Sequence, residues 1–276
     1  MNQLIWRIFR RILQVYLASG YGRAKSQPYF DQLYQYALGG MNIGGGAHVS
    51  ASGESRVIRS ALDTSIAYSD QPVVFDVGAN QGLYALAVLE MLGARGMIHC
   101  FEPSKETFKQ LQNQVSARQN VVLHNFGLSD RAEKLTLYSN VAGSGLASVY
   151  HRRLDHFNVN MDLQEQITLQ VLDDFCLENG IHRIDLLKLD VEGHELAVLR
   201  GAQKMIESHA IRLIQFEFGG CNIDSRTFFQ DFFYLLNPFY TLHRIVKDGW
   251  VAIPEYQERQ ELFITTNFLA ISRRIS

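Results

Sequence analysis

Val73-Val74-Phe75-Asp76-Val77-Gly78-Ala79-Asn80-Gln81-Gly82 joins an apolar run to an acid and then, through two glycines, to the helix-like residues 83–89 that stop at Gly93. The first three residues suit a short buried strand, so the glycines form a strand-to-helix loop at a helix N-terminus. Gly78 and Gly82 would let backbone amides approach a ligand closely. A second apolar run, Met97-Ile98-His99-Cys100-Phe101, delivers Glu102 about 20 residues beyond the loop, where a carboxylate can hold ribose hydroxyls. An ordinary tight turn shares the glycines, but not the spacing to Glu102.

Charge selects the nucleotide. A dinucleotide loop offers Gly-x-Gly-x-x-Gly amides to a pyrophosphate, whereas here Gly78-x-Asn80-x-Gly82 follows Asp76. An acid is a poor neighbour for phosphate and a good one for a ligand carrying an ammonium and a sulfonium, as S-adenosylmethionine does. Methyl transfer is therefore the leading expectation, with an NAD-dependent oxidoreductase disfavoured by the same loop.

Further apolar runs at 121–123, 184–189 and 211–216 alternate with helical patterns, which argues for a parallel sheet. They end at His124-Asn125, Asp190 and Glu217, so strand after strand brings a polar group to the edge where open α/β sheets bind ligands. Residues 241–246 and 250–253 read as strand, turn, strand and residues 267–271 as a last strand, an antiparallel closure of the sheet. Asp190-Val191-Glu192-Gly193-His194-Glu195 concentrates acids and a histidine at one loop. Asp190 can face the transferred methyl group, and His194 is the natural proton acceptor by its ordinary pKa. Glu217 and Glu192 are further catalytic candidates, and Glu195 reads first as a helix cap. Asp190, Glu192, His194 and Glu217 could also ligate a divalent ion, although their spacing matches no metal motif and no metal is expected.

Composition sets the outer bounds. The chain has 276 residues, 47% hydrophobic and 20% charged, enough for one sizeable α/β core with extensions. A formal net charge of -2 gives no general reason to bind nucleic acid, and an amino-methyltransferase's Asn/Asp-Pro-Pro-aromatic loop is absent after the fourth strand, Asn237-Pro238-Phe239-Tyr240 lying elsewhere. Cys100, Cys176 and Cys221 are far apart and odd in number, which fits a reducing cytoplasm. Near the start, Leu4, Ile5, Ile8, Phe9, Ile12, Leu13, Tyr16 and Leu17 recur at helical spacing while Arg7, Arg10, Arg11 and Gln14 fill the other side. Such a basic amphipathic helix lacks a secretory pattern and could dock on a membrane surface, on a partner or on its own domain. The expected division is an N-terminal helical extension with a glycine-rich linker, 1–45, and a catalytic domain, 46–276.

Taken together, the stretch 74–82, Phe101-Glu102-Pro103, Gly127-Leu128-Ser129-Asp130, Leu172-Asp173-Asp174-Phe175 and 187–195 with Val198-Leu199-Arg200-Gly201-Ala202 resemble the FkbM-type family of S-adenosylmethionine-dependent methyltransferases. The resemblance implies a class I methyltransferase fold, a Rossmann-like α/β arrangement with a seven-stranded mixed sheet flanked by helices. It also implies O-methylation of a sugar, glycan or natural-product hydroxyl. Carried over by position, Asp76, Gly78, Asn80 and Gly82 would hold the methionine portion and Glu102 the ribose, with Ser129 and Asp130 near the adenine, assisted by Asn125. Gly143-Ser144-Gly145-Leu146-Ala147-Ser148 looks like the family's segment beside the acceptor. The alternative is a noncatalytic nucleotide- or glycan-binding scaffold.

Overall fold

The apolar runs that end in acids become the parallel centre of one sheet. The computed structural model describes residues 3–45, 52–66, 71–93, 95–115 and 117–274, in two compact units, Met1–Ile43 and Gly44–Ser276. The first unit holds helices α1 (Gln3–Ala18) and α2 (Gln27–Gly40). Pro28 sits in the first turn of α2, where a missing N–H costs nothing.

The second unit opens with α3 (Glu54–Ile66) and then alternates: β1 (Val73–Val77), α4 (Leu83–Leu92), β2 (Met97–Phe101), α5 (Lys105–Val115) and β3 (Val121–His124). Three strands follow, β4 (Gly127–Ser129), β5 (Glu133–Ser139) and β6 (Leu163–Val171), and they form a separate small sheet in the order β4-β6-β5. The chain then returns through α6 (Leu172–Glu178) to β7 (Ile184–Leu189), α7 (Glu195–Gly201), α8 (Gln203–Glu207) and β8 (Ile211–Phe218). It closes with α9 (Cys221–Ser225), α10 (Phe229–Leu236), β9 (Tyr240–Val246), β10 (Gly249–Ile253) and β11 (Thr266–Ser272).

The main sheet runs β10-β9-β11-β8-β7-β1-β2-β3, with β3, β2, β1, β7 and β8 parallel and β11 antiparallel to both β8 and β9. This is the expected mixed α/β architecture, with one correction. The sheet has eight strands rather than seven, because β10 folds back beside β9, with Gly249 opposite Val246, and adds an outer strand.

Alternation along the strands divides the core in two. Phe75, Val77, Leu187, Leu189 and Phe216 pack with Phe229, Phe232 and Leu236 of α10. Val74, Leu186 and Leu213 belong to the other cluster, with Val57 and Ile58 of α3 and Ala85 and Val88 of α4. Asp76, Lys188 and Gln215 fall two residues further along those second-face strands, so three polar side chains enter a buried layer. The crossover connections diverge between β1 and β7, and the crevice at their C-terminal ends is where such a topology binds ligands.

Candidate active site

Two loops cross above that crevice. Asp190 donates its backbone N–H to Val77 O at 3.0 Å, and a Cβ on Gly78, whose φ is +80°, would lie 1.9 Å from the Asp190 carbonyl oxygen. Glycine is required at 78 by this crossing rather than by a ligand. The loop amides are also committed: those of Gly78 and Ala79 donate to Phe101 O, that of Gly82 to Ala79 O, and that of Asn80 to Glu102 Oε2 at 3.0 Å. At Gly82, φ is +87° and a Cβ would press on Leu111 of α5 at 2.8 Å. The sequence expectation that these two glycines free amides for a ligand is therefore replaced by backbone crossing and helix packing.

Asp76 is fully buried behind the loop, its Oδ1 3.4 Å from Lys188 Nζ. Lys188 stands opposite Asp76 in the register of β1 and β7, lies 3.2 Å from Asp190 Oδ2, and sits over the Tyr84 ring at 5.1 Å. Burial alone would lower the lysine pKa, but Asp190, Asp76 and Glu54 outweigh it and hold Lys188 charged. Tyr84 donates its hydroxyl to Gln215 Oε1 at 3.0 Å, and Gln215 donates to Glu54 Oε1 at 2.6 Å, which fixes α3 and α4 against the sheet. Sequence reading missed this network. Its signal was a lysine inside the otherwise apolar end of β7.

Glu102 caps β2 and ties the first loop to the next strand. Its carboxylate accepts the Asn80 N–H and, at 2.9 Å, the Ser104 N–H, while burial pushes its pKa up to about 7. Gly78, Asn80 and Glu102 line a first cavity with Leu128, Ser144 and Gly145. Ser144, Gly145 and Ala147 of the 143–148 segment share this cavity with Glu102 and also with Asp190, Glu192 and His194, and Ser148 donates its hydroxyl to Glu192 O at 2.7 Å. Asp76, Gly82, Asn125, Ser129 and Asp130 do not line this cavity. Asn125 is exposed and donates to Glu102 O at 2.9 Å, supporting the strand end. Ser129 is buried and donates to Asp130 Oδ1 at 3.3 Å.

The loop after β7 is held from within. Glu195, fully buried, accepts the N–H groups of Val191 at 2.9 Å and Gly193 at 3.1 Å, so it ties down the turn ahead of α7 rather than capping the free amides of the helix itself. Glu192, at φ +51°, pairs with Arg152, which also approaches Asp224 at 3.9 Å. Burial and Asp190 nevertheless push Glu192 up to about 8. His194 Nε2 is 2.9 Å from Ser129 Oγ and Nδ1 is 3.3 Å from the Tyr150 hydroxyl, and burial pushes its pKa down to about 4. With both nitrogens engaged and little basicity, His194 is poorly suited to accept a proton at neutral pH.

Glu217 occupies a different place. A second cavity of about 330 Å³ is lined by Glu54, Tyr84, Lys188, Asp190, Glu217 and Asn267, and it shares Gly78, Asn80 and Asp190 with the first. Glu217 and Asn267 are direct partners across β8 and β11. Burial, then the charges of Asp190, Glu192 and Glu195, raise the Glu217 pKa well above the carboxylate range. Among the described residues, no cluster of three or more metal-ligating side chains suits an ion. Lys188 fills the space between Asp76 and Asp190.

The geometry can be set beside known proteins. The profile of the methyltransferase FkbM domain matches residues 76–237, more than half of the chain. The 2-O-methyltransferase NoeI of Sinorhizobium fredii is 26% identical over 151 residues, covering 51% of this chain and 62% of NoeI. The hexuronic acid methyltransferase AglP of Haloferax volcanii is 27% identical over 171 residues, 60% of this chain and 64% of AglP. The chain thus spans less than two thirds of the length of either. The 31-O-demethyl-FK506 methyltransferase FkbM of Streptomyces tacrolimicus is 32% identical over 192 residues, 57% of this chain and 72% of that protein. A solved FkbM methyltransferase from Methylobacillus flagellatus KT superposes with a TM-score of 0.44 at 16% identity, over 74% of this chain and 44% of that one.

Proposed function

The chain belongs to the FkbM methyltransferase domain family, and from that premise we propose that it moves a methyl group from S-adenosylmethionine to a hydroxyl of a sugar, glycan or hydroxylated natural product. The observation that carries this reading is that Gly78, Asn80 and Asp190 belong to the linings of both cavities, which makes them the junction between the two. Asn80 Oδ1, at that junction, is buried without a hydrogen-bond partner and suits a donor such as an ammonium or a ribose hydroxyl. Lys188, the cation lining the second cavity, is committed to Asp76 and Asp190, so the junction favours a cationic head over a phosphate.

Residues fall into roles by place. Glu102 would hold the nucleoside end in the cavity that Ser144 and Gly145 also line, and Asn80 at the junction would meet the cationic head. S-adenosylmethionine supplies an electrophilic methyl group on a sulfonium, open to attack by an oxygen. Asp190 stands at the junction, and Lys188 fixes its carboxylate. The acceptor hydroxyl lies in the second cavity and gives its proton to Glu217 as its oxygen attacks. Burial and the neighbouring acids raise the Glu217 pKa well above its ordinary value, which makes its carboxylate the more basic group, whereas burial lowers His194 to about 4. His194 positions the loop between Ser129 and Tyr150 rather than handling the proton.

The test is methyl transfer from S-adenosylmethionine to a panel of monosaccharides, oligosaccharides and hydroxylated small molecules, read by product mass. Turnover of at least one hydroxylated acceptor, lost in Glu217→Gln while cofactor binding persists, is expected. Transfer only to amines or thiols would refute O-methylation.

A further inference from the structure

The first unit has a chemistry of its own. Residues 1–43 carry Arg7, Arg10, Arg11, Arg23 and Lys25 against the single acid Asp31, a formal +4, although the whole chain is -2. Within α1, Ile8, Ile12 and Val15 are 53%, 65% and 72% exposed. At 3.6 residues per turn this i, i+4, i+7 spacing places them within an arc of roughly 60°, with Arg11 and Arg7 beside it. In α2, Tyr29, Leu33 and Tyr36 repeat that spacing and are also exposed, at 70%, 41% and 68%. Tyr21, half exposed, packs on Phe30 at 5.7 Å between ring centroids.

We infer that this unit binds the surface of an anionic phospholipid membrane, with the α1 and α2 triplets entering the headgroup boundary and the arginines meeting lipid phosphates. Aliphatic and tyrosine side chains flanked by arginine suit a boundary that is apolar below and negatively charged above. No described helix is long and apolar enough to cross a membrane, so the contact lies in the plane of the surface. Charge also distinguishes lipid from a second copy of this chain: two such faces would bring like charge together, whereas an anionic surface neutralises it.

The experiment is co-sedimentation of the full chain with vesicles of phosphatidylcholine alone or with phosphatidylglycerol added. Wild-type protein is expected to partition into the phosphatidylglycerol vesicles on the order of tenfold better, an advantage that salt reduces. Ile8→Asp/Ile12→Asp/Val15→Asp should abolish partitioning, and Arg7→Glu/Arg10→Glu/Arg11→Glu should remove the preference for anionic lipid. Far-UV circular dichroism and the melting temperature monitor folding of both, and the charge variant keeps the test valid if the aspartate variant unfolds. Equal binding to both vesicle types, or wild-type partitioning by the folded variants, would overturn the inference. So would self-association of vesicle-free protein through this face, seen as a sedimentation coefficient that falls in the variants.

Discussion

Gly78 and Glu217 carry the sharpest residue-level expectations. In Gly78→Ala the new Cβ meets the Asp190 carbonyl, a backbone atom that cannot step aside, in a left-handed conformation that L side chains resist. A loss of about 3 kcal/mol or more in chemical unfolding is expected. Gly82→Ala should cost less, since the obstacle there is the movable Leu111 side chain. Glu217→Gln should lower kcat about 100-fold or more with S-adenosylhomocysteine affinity unchanged. If Glu217 is the base, the variant's rate should also lack the rise with pH expected of the unmutated chain. His194→Gln should reduce kcat less than about tenfold, and a drop equal to that of Glu217→Gln would restore the histidine as base. The acids at strand ends were legible in the sequence because each terminates an apolar run. Their surroundings were not: Asp76 was expected to hold the methionine portion and Asp190 to face the methyl group, yet Lys188 stands between them, one fully buried and the other partly open to solvent. Nor could a sequence tell that the histidine with the more suitable ordinary pKa sits where burial lowers it.

Among the elements, α7 shows how a glycine far from a ligand supports the site. Gly201 ends α7 where a Cβ would lie 1.9 Å from Ser129 O, so the helix rests directly on β4. Gly201→Ala should push the two apart and lower the melting temperature sharply. Gly249→Ala, at a position with nothing within 4 Å of a new Cβ, should change it little. Comparable shifts for the two variants would contradict the close packing of α7 on β4. The parallel strands were readable as apolar runs, and the closing antiparallel pair by the turn Lys247-Asp248-Gly249 between two strand-like segments. The small sheet was not, and its own residues explain why. β5 and β6 read Glu-Lys-Leu-Thr-Leu-Tyr-Ser and Leu-Gln-Glu-Gln-Ile-Thr-Leu-Gln-Val, polar at alternate positions, and bury only Leu137, Ile167 and Leu169 in a satellite cluster. Such strands are stabilised by each other and by a narrow core, so they leave a faint hydrophobic signature. The eighth strand of the main sheet was visible as a hairpin arm, but family resemblance counted seven.

Across the whole molecule, burial of titratable groups gives stability a pH dependence. Glu102, Glu195 and Glu192 titrate near 7, 7 and 8 in the folded chain, against an ordinary 4.5. Between those values the folded state retains protons that the unfolded state has released, so these acids lower stability as pH rises. His99, His124 and His194, lowered to about 4, act oppositely between 4 and 6.5, where the unfolded chain takes up protons and the folded chain does not. Above 6.5 the acids act without that opposition. The ligand-free protein is therefore expected to lose melting temperature from pH 6.5 to 8, at up to about 1.4 kcal/mol per pH unit for each proton released. A melting temperature that rises over this interval would show that these carboxylates are not buried as described. The central claim, a site built for an adenosyl cofactor with a cationic head, is tested most directly by calorimetric titration of the full chain with S-adenosylhomocysteine, S-adenosylmethionine and NAD. Both adenosyl ligands are expected to bind one per chain and NAD not to bind, with affinity for the adenosyl ligands falling roughly 10- to 100-fold in Glu102→Gln. A folded chain that binds NAD instead, or that binds neither adenosyl ligand, would contradict the claim.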